Sequence, residues 1–431
     1  MTIEMTIDVT HTAYPTYDSY KDSGVDWLGE VPIEWTVERL GTLLNEVSRK
    51  NYPDLPLLSI TRELGVIERN IEDRDSNHNF IPDDLSGYKK LEQGQFGMNK
   101  MKAWQGSYGV SPYTGIVSPA YYAFDIHPAL DKNFFSLAIR SKVYISYFGS
   151  ASDGVRIGQW DLNKTRMKQI RFAIPTLDEQ KNIVSFLNVK MEQIDQAITL
   201  KQQQIAKLEE YKQIVIQNAV TKGLNPDAPM KDSGVDWIGE IPKHWEVKKL
   251  MFVTENFNKK VLSSESELPY IGMESIESKT GQLSDENSEA EGLASYFKKG
   301  QILFGKLRPY LAKVYLTDFE GLCSTEFMVM SVRSDILDIF LKYQLLSNRF
   351  IAQINSSTYG SKMPRASAEY VKRQSITLPP IEEQKFIVDH IDSITNKINQ
   401  TLLSYKSQID CLKEYKTILI NQAVTGKIKV S

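Results

Sequence analysis

Gly300-Gln301-Ile302-Leu303-Phe304-Gly305-Lys306 fits the first seven positions of a phosphate-cradling nucleotide loop. The fit ends at Leu307, where a Ser or Thr hydroxyl would have to meet magnesium. An earlier counterpart of the same segment carries Asn99 in place of Gly305, so an apolar strand running into a basic turn accounts for both. His11, His78, His127, His244 and His390 have no second ligand at metal spacing. His390 falls beside a helical seam, where packing is expected. Asp83-Asp84 and Glu382-Glu383 lack the Glu-x-Lys partner of a nuclease, and acids at a helix start explain Glu382 and Glu383 through the helix dipole. Asn225-Pro226-Asp227 lacks the Pro-aromatic continuation with which amino-methyltransferases hold a target amine. No glycine-rich cofactor loop precedes a helix, and no enzyme signature remains.

The chemistry that the sequence does carry is positive charge among aromatics. Lys298, Lys299, Lys306, Arg308 and Lys313 lie within sixteen residues free of acid, with Phe304, Tyr310 and Tyr315 interleaved. Lys89, Lys90, Lys100, Lys102, Trp104, Gln105, Ser107 and Tyr108 form a corresponding stretch. Further basic runs follow each: Arg156, Lys164, Arg166, Lys168 and Arg171, then Lys362, Arg365, Lys372 and Arg373. Lys and Arg neutralise phosphates, while Arg, Gln, Asn and Ser can read base edges. One basic loop is usually plain solvated surface. Two at matching positions favour DNA, with Lys100, Lys102, Trp104, Gln105, Ser107, Tyr108, Arg156, Lys306, Arg308, Tyr310, Lys362 and Arg365 as candidate contacts.

The elements that must position these loops are written twice. Lys21-Asp22-Ser23-Gly24-Val25-Asp26-Trp27 recurs 210 positions later as Lys231-Asp232-Ser233-Gly234-Val235-Asp236-Trp237. Glu179-Gln180-Lys181 and Glu210-Tyr211-Lys212 recur 204 positions later as Glu383-Gln384-Lys385 and Glu414-Tyr415-Lys416. Between them, Gly94-Gln95, Lys100, Lys102, Trp104, Gly115, Ser118 and Tyr121 fall 206 positions before Gly300-Gln301, Lys306, Arg308, Tyr310, Gly321, Ser324 and Phe327. The offset changes only inside the domains, where loops tolerate insertions. Segments such as Leu55 to Ile60, Val117 to Phe124 and Phe327 to Val332 read as strands, so each copy is a mixed domain.

Each copy ends in a long helix. Val184, Leu187, Met191, Ile194, Ile198, Lys201, Ile205, Leu208, Lys212 and Val215 alternate steps of three and four, as do Val388, Ile391, Thr395, Ile398, Leu402, Tyr405, Ile409, Leu412, Lys416 and Leu419. That is a coiled-coil seam. Thr176-Leu177-Asp178-Glu179 reads as a capping box, and the first helix should fade before Gly223; Pro380 replaces Thr176 in the second copy. Helices of about 40 residues with one apolar stripe are unstable alone, and the matching stripe is the obvious partner. A pseudo-twofold relation would pair them antiparallel; two separate helices, each packed on its own domain, is the alternative. The expected organisation is α+β: an arm at 1–20, a domain at 21–175, a helix at 176–222, a linker at 223–230, a second domain at 231–379 and a second helix at 380–428.

Composition bounds the rest. With 431 residues, 41% hydrophobic and 24% charged, the chain reads as two globular domains with connecting elements. No apolar run reaches the eighteen or more residues of a membrane span, and the first twenty residues carry no signal-like core, so a cytoplasmic location is expected. Cys323 and Cys411 belong to no cluster and read as inert. A net charge of −3 means that any DNA surface must come from local clustering.

The strings DSGVDWLGEVPIEW, NKMKAWQGSYGVS, GIVSPAYYAF, GQILFGKLRPYLAKV and IEEQKFIVDHI resemble the specificity subunit (HsdS) of type I restriction-modification systems, from about residue 21 to residue 428. The resemblance implies two target-recognition domains alternating with two long helices in an antiparallel coiled coil. Each domain would read one half of a bipartite target in double-stranded DNA, and the helices would set the unread spacer. It also implies two methyltransferase subunits docking on helices and domains, with Glu179, Gln180, Glu383 and Gln384 as partner-binding candidates, and translocase-nuclease subunits joining them. S-adenosylmethionine, ATP and magnesium would sit on those partners and none on this non-catalytic chain. The arm at 1–20 matches nothing in the family and reads as flexible or as a strand closing the first domain. A rival reading is a coiled-coil scaffold whose duplicated domains bind proteins. Divergence of the loops Thr61 to Asp84 and Glu274 to Glu291 within a shared frame favours readers of two different half-sites. A self-contained restriction enzyme would need a motif that the chain lacks.

Overall fold

A computed structural model of the chain describes residues 14–69, 82, 84–156, 159–284, 288, 292–360 and 362–430. Residues 1–13 of the arm, His11, His78, Asp83 and parts of the two divergent loops lie outside the described residues. The chain forms two compact units, Met1–Leu200 with Ser407–Ser431, and Lys201–Lys406. The expected boundaries at 175/176 and 379/380 are where sheet gives way to helix. Each unit holds part of both long helices.

Each unit is built on an antiparallel four-stranded sheet with the same strand order. In the first unit the order is Leu44–Val47, Tyr121–Ile126, Phe96–Asn99, Tyr108–Val110; in the second it is Thr254–Asn256, Phe327–Val332, Ile302–Gly305, Val314–Leu316. Both faces are covered, because successive side chains point to opposite sides. Phe96, Met98, Tyr108 and Phe124 pack against Phe134, Phe135, Ile139, Tyr144 and Phe148 of two short helices, whereas Ala123 faces Leu58, Ile60, Leu91 and Val117. Gly97 is required on that second side, since a Cβ would stand 2.7 Å from Leu91 and 3.0 Å from Ile60. In the second unit Ile302, Phe304 and Met330 take one side, and Leu303, Tyr315 and Val329 the other. Phe304 and Tyr315, expected beside the basic loop, are therefore core residues, 1% and 7% exposed. Cys323 is buried and Cys411 exposed, and burial pushes the Cys323 thiol up to about 12. A disulfide reagent is accordingly expected to label one thiol, Cys411, in the native chain and both after unfolding; rapid native labelling of both would refute this packing.

The long helices span Leu177–Lys222 and Ile381–Val424. Thr176 caps the first, its Oγ1 accepting from the Glu179 N–H at 3.4 Å, and Gly223 ends it with φ +72°. The second has Pro380 at the matching position and lacks that hydroxyl; the backbone bond is common to both, Gln180 N–H to the Thr176 carbonyl at 2.9 Å and Gln384 N–H to the Pro380 carbonyl at 3.0 Å. Every seam position named above is buried or half-buried. His390, expected to pack, is exposed, because it stands one residue off the seam at Ile391.

Within the first unit the start of one helix runs antiparallel to the end of the other: Asp195 pairs with Lys416 at 2.7 Å, and Met191 shares a cleft with Ile420 and Asn421. Within the second unit, Lys201 lies over the Tyr405 ring at 5.0 Å and Lys212 donates to Asn399 at 2.9 Å. Each half-helix also packs on its own globular part, through Ile183 and Leu187 in one unit and Ile387 and Ile391 in the other. Pairing and domain packing thus coexist. Apolar seam burial carries the stabilisation, because an exposed ion pair such as Asp195–Lys416 contributes about 0–1 kcal/mol.

In the first unit the segment from Tyr14 meets the segment that follows the second long helix. The Lys429 N–H donates to the Pro15 carbonyl at 2.7 Å, and Lys427 Nζ donates to Leu28 and Glu30 carbonyls at 3.1 and 2.6 Å. Tyr14 meets Phe186 edge-on at 5.1 Å, and Tyr20 opens the hairpin strand Tyr20–Asp22. The described part of the arm is therefore packed.

Candidate nucleic-acid interface

In the first unit the strand Phe96–Asn99 delivers Lys100 into a short 3-10 turn, Ala103–Gln105, that ends at Gly106 with φ +89°. A hairpin, Ser152–Arg156 and Gln159–Leu162, lies against this turn. The Leu162 N–H donates to the Lys100 carbonyl at 3.1 Å, and Lys100 Nζ meets Asp161 at 3.2 Å. Trp104 stacks on Trp160 with ring centroids 5.1 Å apart and planes inclined by 23°. Trp160 is 37% exposed, Lys102 is exposed and Gln105 half-buried. Ser107 and Tyr108 depart from expectation. After Gly106 the chain returns as the strand Tyr108–Val110, so Ser107 is 2% and Tyr108 0% exposed, and the Tyr108 hydroxyl donates to the Ile139 carbonyl at 3.1 Å. Neither reaches the surface. Arg156 closes the hairpin's first strand, and its side chain lies outside the described residues.

The second unit repeats the clamp with other side chains. The Ala366 N–H donates to the Lys306 carbonyl at 3.0 Å, and the Arg308 N–H to the Pro364 carbonyl at 2.7 Å. Arg308 is left-handed, φ +50°, which costs a non-glycine residue roughly 1–2 kcal/mol. Lys306 Nζ donates to the Thr325 carbonyl at 3.0 Å, and Arg365 pairs with Glu326 at 2.8 Å. Tyr310, Tyr359, Lys362 and Met363 are exposed. Lys298 and Lys299 do not join them, because the strand Ile302–Gly305 separates them from Lys306. The structure thus gathers Lys100, Lys102, Trp104 and Gln105 on one face, and Lys306, Arg308, Tyr310, Lys362 and Arg365 on another. The sequence reading missed Trp160, Tyr359 and Met363. Gly154 and Gly360, and with them Arg156 and Lys362, stand 206 positions apart and signal a shared position.

Glu179, Gln180, Glu383 and Gln384 mostly serve the fold. Gln180 is fully buried: its Oε1 accepts from the Asp131 N–H at 2.6 Å, and its Nε2 donates to Ala129 and Pro175 carbonyls at 3.0 and 2.9 Å. Gln384 repeats this with Leu337 N–H at 2.8 Å, and Asp335 and Pro379 carbonyls at 3.1 and 2.9 Å. Both amides are fully buried and bonded within the chain, so neither presents a group at the surface, which corrects the expectation for both glutamines. Glu179 accepts from Trp35 Nε1 at 3.0 Å and from the Tyr17 hydroxyl; burial and that carboxylate push the Tyr17 phenol up. Glu383 lies 2.7 Å from His244 Nε2.

The sequence matches the family described as type I restriction modification DNA specificity domain over residues 120–210 and 242–404. It is 23% identical over 406 residues to the type I restriction enzyme EcoDI specificity subunit of Escherichia coli, covering 87% of this chain and 86% of that one. It is 24% identical over 453 residues to the putative type I restriction enzyme MjaX specificity subunit of Methanocaldococcus jannaschii, covering 94% and 96%. The fold matches a chain from a structural study of complex assembly and conformational transition of the type I R-M system, with TM-score 0.68, 16% identity and 91% and 98% coverage. It also matches the HsdS subunit from Thermoanaerobacter tengcongensis, with TM-score 0.54, 15% identity and 92% and 98% coverage. With more than half of its length matched in two segments, the chain belongs to the type I restriction-modification DNA specificity family.

Proposed function

We propose that each unit reads one half of a bipartite duplex target through its clamped loop and hairpin, as a specificity subunit of a type I system. The observation that carries this is the same backbone clamp, Leu162 N–H to Lys100 O and Ala366 N–H to Lys306 O, bearing different exposed side chains in the two units. A shared frame holds both half-sites alike, and unlike side chains read unlike sequences. The paired helices set the spacer and, with the domains, dock two methyltransferase subunits, which translocase-nuclease subunits join. S-adenosylmethionine, ATP and magnesium belong to those partners, and this chain binds and reads without catalysing. Such a reader of cellular DNA works in the cytoplasm; no helix among the described residues is long and apolar enough to cross a membrane.

The test is methylation mapping. The chain purified alone is expected to transfer no methyl group, and together with its methyltransferase partner to direct methylation to an asymmetric split site. Methyl transfer by the isolated chain, or unselective methylation by the complex, would refute this division of roles.

A further inference from the structure

Around Tyr122 the first unit gathers lysines that its fold does not need. Lys164 Nζ lies 4.5 Å from the Tyr122 ring centroid and Lys89 Nζ 5.6 Å. Lys164 is held 2.8 Å from both Glu46 carboxylate oxygens, and Lys89 donates to the Tyr121 carbonyl at 2.7 Å. Lys100, on Asp161, and Lys50 stand close enough for their charges to act on Lys89. Burial depresses the Lys89 ammonium below its ordinary range; Glu46 opposes this, and Lys164, Lys50 and Lys100 add to it. Two ammonium groups thus share the Tyr122 ring with one carboxylate, Glu46, beside them. Crowding like charge is unfavourable unless an anion is shared among the groups.

The second unit supplies the control. Lys89 pairs with Val117 where Ser295 pairs with Cys323, and Tyr122 with Met98 where Met328 pairs with Phe304. Glu46 stands opposite Phe124 where Asn256 stands opposite Met330. Lys164 opens the short helix that Ala368 opens in the second unit. All four positions change together, to Ser295, Met328, Asn256 and Ala368, while strand order and register persist. A frame that folds without the cluster does not require it for folding.

We propose that the Tyr122 cluster is a seat for DNA backbone phosphate, built in the first unit from residues that the second unit does not repeat at the matching positions; there the lysine–aromatic pairs are others, Lys259 over Tyr296 at 4.7 Å and Lys298 over Phe257 at 5.8 Å. Lys89 and Lys164 supply N–H donors to phosphate oxygens, Tyr122 holds both ammonium groups by cation–π attraction, and Lys100 joins the seat to the Trp104–Trp160 loop. This rests on the reading that the first unit binds duplex DNA.

The test uses the complex of the chain with its methyltransferase partners and a duplex bearing the mapped site, titrated with salt. The Lys89→Gln/Lys164→Gln double variant is expected to lower the steepness of log Kd against log salt by about 1.8, at ~0.9 per phosphate contact, with sequence preference unchanged. Glu46→Gln, which releases Lys164, is expected to tighten binding roughly two- to fivefold at low salt, a gain that misfolding cannot imitate. An unchanged slope in the double variant, or no gain in Glu46→Gln, overturns the seat while leaving DNA reading intact. Failure of the unmodified complex to bind the duplex overturns both.

Discussion

Gln384→Ala is expected to destabilise the second unit by about 3 kcal/mol, through three hydrogen bonds of about 1 kcal/mol each and the unpaired groups left behind. The Gln384 amide is fully buried and joins the start of a long helix to the Leu337 N–H and the Asp335 and Pro379 carbonyls. Alanine leaves a donor and two acceptors without a partner. Gln384→Glu should fare little better, since a carboxylate cannot donate to the two carbonyls. Denaturant titration by circular dichroism measures the loss, and a shift below about 1 kcal/mol would mean that water substitutes for the amide. Gln180→Ala is expected to do the same to the first unit. The consequence for function is positional, because each glutamine fixes the globular part of its unit on its helix.

The second large effect concerns binding. Lys306→Ala with Arg308→Ala in the complex with methyltransferase partners is expected to weaken DNA binding by about 2–3 kcal/mol and to relax selection at one half-site. Arg308 is presented by a left-handed backbone and a bond to the Pro364 carbonyl, so its direction is set by the clamp. Lys306 also ties the loop to the Thr325 carbonyl, and Lys306→Arg separates charge from anchoring. Binding and methylation are read on duplexes altered in one half at a time. Unchanged affinity and unchanged selection at both halves would remove this loop from the DNA.

The helices and the repeat were legible because their signals are local. Steps of three and four mark Ile194 or Leu419 as seam residues whatever the partner, and the match of Lys100 with Lys306 needs no coordinates. The loops were harder to read because charge and aromaticity do not tell which way a side chain points. Tyr108 looks like the continuation of an aromatic basic loop, yet it opposes Met98 in an antiparallel pair and turns into the core. Trp160 was overlooked for the opposite reason: it is distant in sequence from Trp104 and meets it through the hairpin.

Gln180 and Gln384 show the same limit. Their recurrence is visible in the sequence, but whether a repeated polar residue faces a partner or the interior depends on which loop folds over it. Those loops, at Asp131 and Leu337, lie 49 and 47 residues earlier in the chain.

The sequence by itself determined the duplication, the two long helices with their seams, the positions of the basic loops and the family, because periodicity and recurrence are properties of neighbouring residues. Tertiary structure alone decided which loop residues reach the surface, that the units divide within the helices, that Pro15 and Lys429 meet in the first unit, and that Lys89 and Lys164 converge on Tyr122. Those outcomes depend on strand register and on contacts between segments far apart in the chain, where a shift of one residue exchanges core for surface.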